Sequence, residues 1–212
     1  MRKLDRASID APPCLARYQH GRDNWDDVKE DKQEIRTYLE RLQSRSCAYC
    51  EGSLDELEQH IDHFRCKARF PKLTFDWSNL YWSCLHDDSC GWYKDNKSAS
   101  YDPNVLIDPC QDDPDHYFRF YADGTIPIRG GLSMAEQQRA EETLRVFNLQ
   151  NQRLNAMRQR AFETYQAIEP GILEALVEFE EYERQAFIEE EIARACTQPF
   201  SAVIRHSFED LR

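Results

Sequence analysis

Two pairs of cysteines constrain this chain more than any other feature of its sequence. Cys47 and Cys50 are separated by two residues, and Cys84 and Cys90 follow after a further 33 residues. Each pair can form a metal-binding knuckle, and two knuckles joined across a loop supply the four thiolates of a tetrahedral zinc site. The alternative is four free thiols buried as small apolar side chains. We expect structural zinc, because closely spaced cysteine pairs in a reducing compartment usually bind metal.

The rest of the composition is that of a soluble protein. The chain has 212 residues, of which 41% are hydrophobic and 31% are charged. No apolar run approaches the roughly 20 residues of a transmembrane helix, and no secretory signal is visible, so we expect a cytoplasmic location. The cysteines that lack a close partner are expected to fill small apolar spaces: Cys14, Cys66, Cys110 and Cys196.

The charge is distributed unevenly along the chain. A net charge of −12 argues against binding nucleic acid through overall positive charge. Residues 133–212 hold 9 basic and 15 acidic residues and so contribute half of the net negative charge. Residues 60–75 hold four basic residues against Asp62 alone, which makes a local basic strip. The C-terminal glutamates form either a solvated helix face or an interface for a basic partner. They are Glu178, Glu180, Glu181, Glu183, Glu189, Glu190 and Glu191.

Three segments are predicted. Residues 1–46 form an N-terminal arm and helix, residues 47–132 form a core with the cysteine pairs and a following hairpin, and residues 133–212 form an acidic helical region. The first helix is predicted from Trp25 to about Arg45 because its apolar residues recur at helical spacing.

Shorter patterns locate the other elements. Strands are predicted over 60–64 and 80–83, and Asp123-Gly124 predicts the turn of a hairpin over 117–128. Ser133 and Glu136 form a capping-box pattern, which indicates that helices begin there. Further helices are predicted from 172 to about 196 and from 200 to 211.

A cluster of reactive side chains lies between the cysteine pairs. His60-Ile61-Asp62-His63 places two histidines and a carboxylate within four residues, and Asn79 follows shortly before Cys84. A single histidine is more often structural than catalytic. Here, however, both histidines lie inside a loop that the metal would hold, which favours a functional site.

These motifs resemble the HNH (ββα-metal) nuclease family in its zinc-stapled form. The residues that carry the resemblance are Cys47-x-x-Cys50, Asp62-His63, Asn79-Leu80, Cys84, Cys90 and Lys94. Neighbouring phrases, among them Tyr101-Asp102-Pro103, are similar to the PtuB-type effectors of Septu and retron anti-phage systems. The resemblance covers about residues 45–155. It implies an α+β fold with a zinc-stapled ββα-metal core, an N-terminal helix and a C-terminal helical region.

The resemblance also implies roles for single residues in phosphodiester hydrolysis. His63 is the general base, and its ordinary pKa near 6.5 suits that role at neutral pH. Asp62 binds a catalytic Mg²⁺ or Mn²⁺ that neutralises the leaving oxygen. Asn79 orients the loop and the base, and His60 contacts phosphate or supports His63.

Basic residues and partners follow from the same resemblance. Lys94, Arg65 and Lys67 are expected to contact substrate phosphate, and Arg65 can do so through two hydrogen bonds. The implied substrate is DNA or tRNA-like RNA. The implied partners are a PtuA-like ATPase and, in a retron, a reverse transcriptase with its RNA–DNA product.

One position departs from the family pattern. In the family, a His or Asn on the short helix just after the last zinc cysteine usually gives the catalytic metal a second ligand, but this sequence reads Gly91-Trp92-Tyr93 there. Asp95, Asn96 or His86 could substitute, because they lie a few residues away. Two alternatives to an active nuclease therefore remain: a catalytically impaired adaptor that bridges the ATPase to other components, and a zinc protein that binds nucleic acid without cutting it.

Overall fold

The regular elements of this protein are helices, a two-stranded sheet and short 3₁₀ turns, an α+β arrangement. The structure is a computed structural model that describes residues 1–168, 170–172 and 176–211. In chain order its helices and strands are α1 (Lys32–Gln43), β1 (Gln59–His63), β2 (Leu80–Cys84), α2 (Cys90–Asn96), α3 (Pro114–Tyr117), α4 (Met134–Val146), α5 (Gln152–Ile168), α6 (Glu181–Ala195) and α7 (Ser201–Ser207).

A short antiparallel hairpin and a helix form the centre of the fold. β1 and β2 pair antiparallel, with Asp62 opposite Tyr81 and His63 opposite Leu80. α2 packs against both strands, and α1 packs against β2. Every residue of β2 is buried, which explains why its sequence lacks the alternation of a half-exposed strand. The two predicted strands are confirmed to within one residue at each end.

The prediction of a helix from Trp25 is wrong for its first part. Residues Trp25–Val28 form a 3₁₀ turn, in which the Asn24 N–H donates to Asp27 at 2.7 Å, and the α-helix begins at Lys32. Trp25 and Val28 are both buried. Their apolar spacing therefore continues the helical pattern although the backbone does not.

The hairpin predicted over 117–128 is only partly formed. Its turn is confirmed, because the Tyr121 N–H donates to the Thr125 carbonyl at 3.0 Å and Gly124 adopts φ +82. However, Tyr117 belongs to α3, and the only bridge between the two arms in the described chain joins Phe118 to Ile128. Pro127 has no N–H to donate, so only its carbonyl takes part in the pairing, as the acceptor of the Arg119 N–H at 3.1 Å.

The C-terminal region is helical, with shifted boundaries. The capping box of Ser133 and Glu136 is confirmed at the start of α4. Of the helix predicted from 172 to about 196, residue 172 is helical and residues 173–175 lie outside the described residues. A 3₁₀ turn follows over Leu176–Glu178, and the long helix α6 begins at Glu181. The predicted final helix is α7, followed by a 3₁₀ turn. None of the described helices is long and apolar enough to cross a membrane.

Glu191 and Cys196, both in the C-terminal region, differ from the predicted exposure of their side chains. Glu191 is buried rather than solvated, and its carboxylate accepts a hydrogen bond from Tyr165 at 2.7 Å. Cys14 is buried, as a small apolar filler should be, but Cys196 is exposed, so that prediction is wrong for Cys196.

The C-terminal helices pack directly on the cysteine core. The Phe147 ring, at the end of α4, stacks on Tyr49 with 4.2 Å between centroids. At the start of α7, the Ser201 hydroxyl and the Ala202 N–H both donate to the buried Glu51 carboxylate at 3.1 Å. The acidic region therefore covers one side of the centre that the cysteines form.

Candidate metal and catalytic sites

Four buried cysteines form a cluster that could hold a metal ion. The Sγ atoms of Cys47, Cys50, Cys84 and Cys90 all lie within 4.8 Å of one another, and none is in a disulfide. The Cys50–Cys84 separation is 3.9 Å. Zinc–sulfur bonds of 2.3 Å in a tetrahedron place sulfurs about 3.8 Å apart, so this donor set fits zinc. The predicted four-cysteine cluster is therefore confirmed as a group that could hold such a metal.

The backbone of the first knuckle is shaped for metal binding. The Glu51 N–H donates to the Cys47 carbonyl at 3.0 Å, and Glu51 adopts the left-handed φ of +68. This tight turn points the Gly52 N–H at Cys50 Sγ, 3.4 Å away. Backbone N–H groups directed at sulfur stabilise a thiolate, which is the form that binds metal.

A buried arginine lies beside this centre. Arg158, on α5, is 1% exposed and donates to the carbonyls of Leu149 (2.8 Å) and Gly124 (3.3 Å). No carboxylate within the described residues pairs with it. Burial lowers the pKa of Arg158 to about 10, while the nearby Cys50 acts in the opposite direction. Arg158 is therefore a buried positive charge, and Cys50, Glu51 and Cys90 oppose the effect of burial on its pKa.

Asp62 is buried at the contact between β1 and α2. Its Oδ2 accepts a hydrogen bond from the Tyr49 hydroxyl at 2.5 Å, and its Oδ1 lies 3.5 Å from the Lys94 ammonium. Burial by itself would raise the pKa of Asp62, but Lys94, His60 and Tyr49 together hold it below its ordinary value. The side chain is an anion fixed in one orientation.

Gly91 allows this approach. A Cβ at Gly91 would lie 2.6 Å from both Cγ and Oδ1 of Asp62, closer than non-bonded atoms come. The helix therefore offers no side chain to a metal at this position. It offers the space that the Asp62 carboxylate fills.

Among the three residues that could substitute for a second ligand, the structure brings only Asp95 near Asp62. Lys94 Nζ lies 2.6 Å from Asp95 Oδ1 and so links the two carboxylates. His86 instead pairs with Asp88 at 3.0 Å, and the Asn96 amide donates to the Trp92 carbonyl.

His60 and Lys94 complete this cluster. His60 Nε2 lies 3.7 Å from Asp62 Oδ1, on the same face of β1. Lys94 is fully buried and also donates to the His63 carbonyl at 2.9 Å. The predicted contact of Lys94 with phosphate stays a prediction; in the structure, its ammonium holds Asp62, Asp95 and the end of β1 together.

His63 lies on the opposite face of β1 from Asp62 and is 5% exposed. Its Nε2 is 3.0 Å from the Thr74 carbonyl, and because a carbonyl only accepts, Nε2 carries the proton. Nδ1 has no hydrogen-bond partner in the part of the chain that the structure describes. Trp25 contacts the imidazole edge-on, with 4.5 Å between centroids. Burial lowers the pKa of His63 to about 4.

Asn79 connects the two ends of the loop that follows β1. Its amide accepts from the Arg65 N–H at 2.7 Å and donates to the carbonyls of Arg65 and Leu73. The Arg65 guanidinium points toward Asn104, whereas Lys67 is exposed near His63 and forms no ion pair within the described residues. These two basic residues therefore do not meet in one cluster.

Three residues of the site were not anticipated from the sequence. Tyr49 holds Asp62, while Trp25 and Thr74 hold His63. The sequence could have indicated that Tyr49 lies near the site, because Tyr49 stands inside the Cys47–Cys50 knuckle. The sequence gives no indication that Trp25 and Thr74 contact His63, since only the tertiary fold brings them against β1.

Comparison with known proteins points to one group. No family model matches the chain. "Septu protein PtuB" from Bacillus thuringiensis is 29% identical over 105 residues, which are 49% of this chain and 37% of the relative. "Septu protein PtuB" from Bacillus mycoides (strain KBAB4) is 22% identical over 170 residues, 68% of this chain and 56% of the relative. The chain thus spans roughly half or less of the length of these curated relatives and is similar to both.

Proposed function

We propose that this protein is a metal-dependent HNH endonuclease that cuts DNA or tRNA-like RNA as an effector of a Septu anti-phage system. The observation that carries the proposal is the arrangement at the end of β1. Asp62 faces α2 and His63 faces the following loop, in a hairpin and helix that four cysteines join. The similarity to two Septu PtuB proteins supports the defence role.

His63 is the general base in this proposal. Its Nε2–H is held by the Thr74 carbonyl, which leaves the lone pair of Nδ1 for a proton of the attacking water. Burial keeps the imidazole neutral at pH 7, as a base requires. Asn79 positions the loop that carries this carbonyl, because its amide bonds to both Arg65 and Leu73.

Asp62 is the proposed ligand of a catalytic Mg²⁺ or Mn²⁺. Carboxylate oxygens suit these cations, and Mg²⁺ keeps several waters where protein ligands are few. Asp62 is held as an anion, because its surroundings keep its pKa below the ordinary value, and His60 approaches its Oδ1 from the same strand. When bound, the metal would neutralise charge on the phosphate and on the leaving oxygen. Arg65 and Lys67 are the proposed phosphate contacts.

The proposed partners follow from the relatives and from the charge. A PtuA-like ATPase would control the nuclease and present its substrate, because a net charge of −12 gives little attraction for nucleic acid. In a retron, a reverse transcriptase with its RNA–DNA product would join this complex. Zinc on the four cysteines is structural in this account.

The test is cleavage by the chain reconstituted with its ATPase. Plasmid, single-stranded DNA and total tRNA are each incubated with Mg²⁺ or Mn²⁺. We expect at least one substrate to be cut, and we expect His63→Ala to slow the cut by about 10²-fold or more. His116→Ala is the matched control, since His116 is an exposed histidine that pairs with Glu136. Cleavage by His63→Ala at the wild-type rate would contradict the mechanism.

A second function is favoured by a specific observation. Gly91 supplies no ligand, and Asp62 is already neutralised by Lys94, as in a site that no longer needs a metal. The protein would then be an adaptor that bridges the ATPase to other components. Stable complex formation without cleavage of any substrate, with either metal, would favour this function.

A further inference from the structure

A cavity of about 490 Å³ lies between the N-terminal arm and the segment that follows β1. One wall is formed by residues 20–26, and the other by Lys67, Ala68, Pro71 and Thr74. Its volume is within the roughly 300–1,000 Å³ of pockets that hold small molecules. The N-terminal arm, which the sequence places outside the nuclease core, therefore forms half of a recess on that core.

The cavity adjoins the proposed general base. Two of its wall residues contact His63 directly: Trp25 packs edge-on against the imidazole, and the Thr74 carbonyl accepts from Nε2. Lys67, a third wall residue, is close enough that its charge lowers the pKa of His63, although burial is the larger cause. A group bound in the cavity would thus lie next to the His63 imidazole, the proposed general base.

The groups available in the cavity suit a nucleotide. Arg22 is neutralised by Asp23, whose Oδ2 lies 2.8 Å from the guanidinium. Lys67 remains as an ammonium with no ion-pair partner within the described residues, and ammonium groups bind phosphate. Asp26 remains as a carboxylate, and carboxylates accept hydrogen bonds from base amino groups. Lys67 could therefore bind the phosphate of a nucleotide, and Asp26 could bind the edge of its base.

We propose that this cavity binds one unpaired nucleotide of the substrate strand, beside the phosphate that is cut. This inference rests on the proposed function and adds the substrate class: the strand is single at the point of cleavage. A base inside a duplex is stacked and paired, so it cannot enter a recess without leaving the helix.

Binding tests the inference separately from cleavage. Fluorescent single-stranded DNA, single-stranded RNA and duplex DNA oligonucleotides are titrated against the full chain without added divalent metal, and their integrity is checked on gels. Ala68→Trp fills the cavity from an exposed position, and Lys67→Ala removes the proposed phosphate contact. We expect single-strand affinity to fall about tenfold or more in both variants. DNA and RNA arms show which sugar the site prefers.

Matched controls change the same residue types away from the cavity. Ala135→Trp introduces the same side chain on the exposed face of α4, and Lys72→Ala removes an exposed lysine of the same segment. Both should keep the wild-type affinity within about twofold. Circular dichroism and zinc content identify any variant that has not folded.

The outcomes separate this inference from the nuclease proposal. Unchanged affinity in Ala68→Trp, duplex binding as tight as single-strand binding, or no binding of any oligonucleotide would overturn the inference, even if the complex cuts. Binding that depends on the cavity, without cleavage under any condition, would support the inference as a binding site and contradict the nuclease proposal.

Discussion

At the scale of single residues, Gly91 and Asp62 are matched across the contact between α2 and β1. Because an added Cβ would meet Asp62 at 2.6 Å, Gly91→Ala forces the carboxylate away from Tyr49 and Lys94. We expect the free energy of unfolding to fall by about 1–3 kcal/mol, measured by urea titration. In the control Gly130→Ala, a Cβ meets nothing within 4 Å. Equal stability of the two variants would contradict this packing.

Arg158 is expected to stabilise the metal centre by charge. Arg158→Met keeps most of the buried volume but removes the positive charge and the bonds to two carbonyls. We expect zinc to leave about tenfold faster or more, measured with a chelator and a colorimetric indicator. The control Arg160→Met changes an exposed arginine on the same helix. Equal release from both variants would exclude a role for the Arg158 charge.

His63 links stability to pH. Its pKa is lowered to about 4 in the folded chain, below the ordinary value of 6.5. Between these pH values the unfolded chain binds a proton that the folded chain does not, so stability falls as the pH drops from 6.5 toward 4. His63→Gln does not titrate, and we expect its loss of stability between pH 7 and pH 5 to be smaller. Urea titrations at both pH values test this, and identical losses would argue against it.

At the scale of elements, the metal is expected to hold the hairpin and α2 together. A two-stranded hairpin is at best marginally stable alone, and this one is joined to α2 by Cys84 and Cys90. We expect Cys84→Ser to lose bound zinc and several kcal/mol of stability, about the range for a structural metal site. Zinc content and thermal unfolding measure both effects. Cys196→Ser, at an exposed cysteine, should change neither.

The elements differ in how far the sequence predicts them. The strands and the Ser133 capping box were predictable, because local pattern and local hydrogen bonds determine them. The start of α1 was not, since Trp25 and Val28 are buried from a 3₁₀ turn at the spacing of a helix. Pro127 indicated an edge strand, but its missing N–H left a single bridge instead.

At the scale of the whole molecule, the metal cluster was predictable from spacing, whereas the surroundings of the catalytic residues were not. Cys47 and Cys84 meet as their spacing indicates. Asp62 and His63 are adjacent in sequence, yet they face opposite sides of β1 and have different neighbours. Trp25 reaches His63 only because the N-terminal arm folds back onto the core, a contact between segments far apart in the chain.

The central claim is that the His63 imidazole acts as the base. The most direct measurement is the cleavage rate of His63→Ala with and without added imidazole, in the reconstituted complex. We predict a loss of about 10²- to 10⁴-fold and a partial recovery when imidazole enters the space that the buried side chain leaves. A rate equal to that of the wild type, or a loss that imidazole does not relieve at any concentration, would contradict the account.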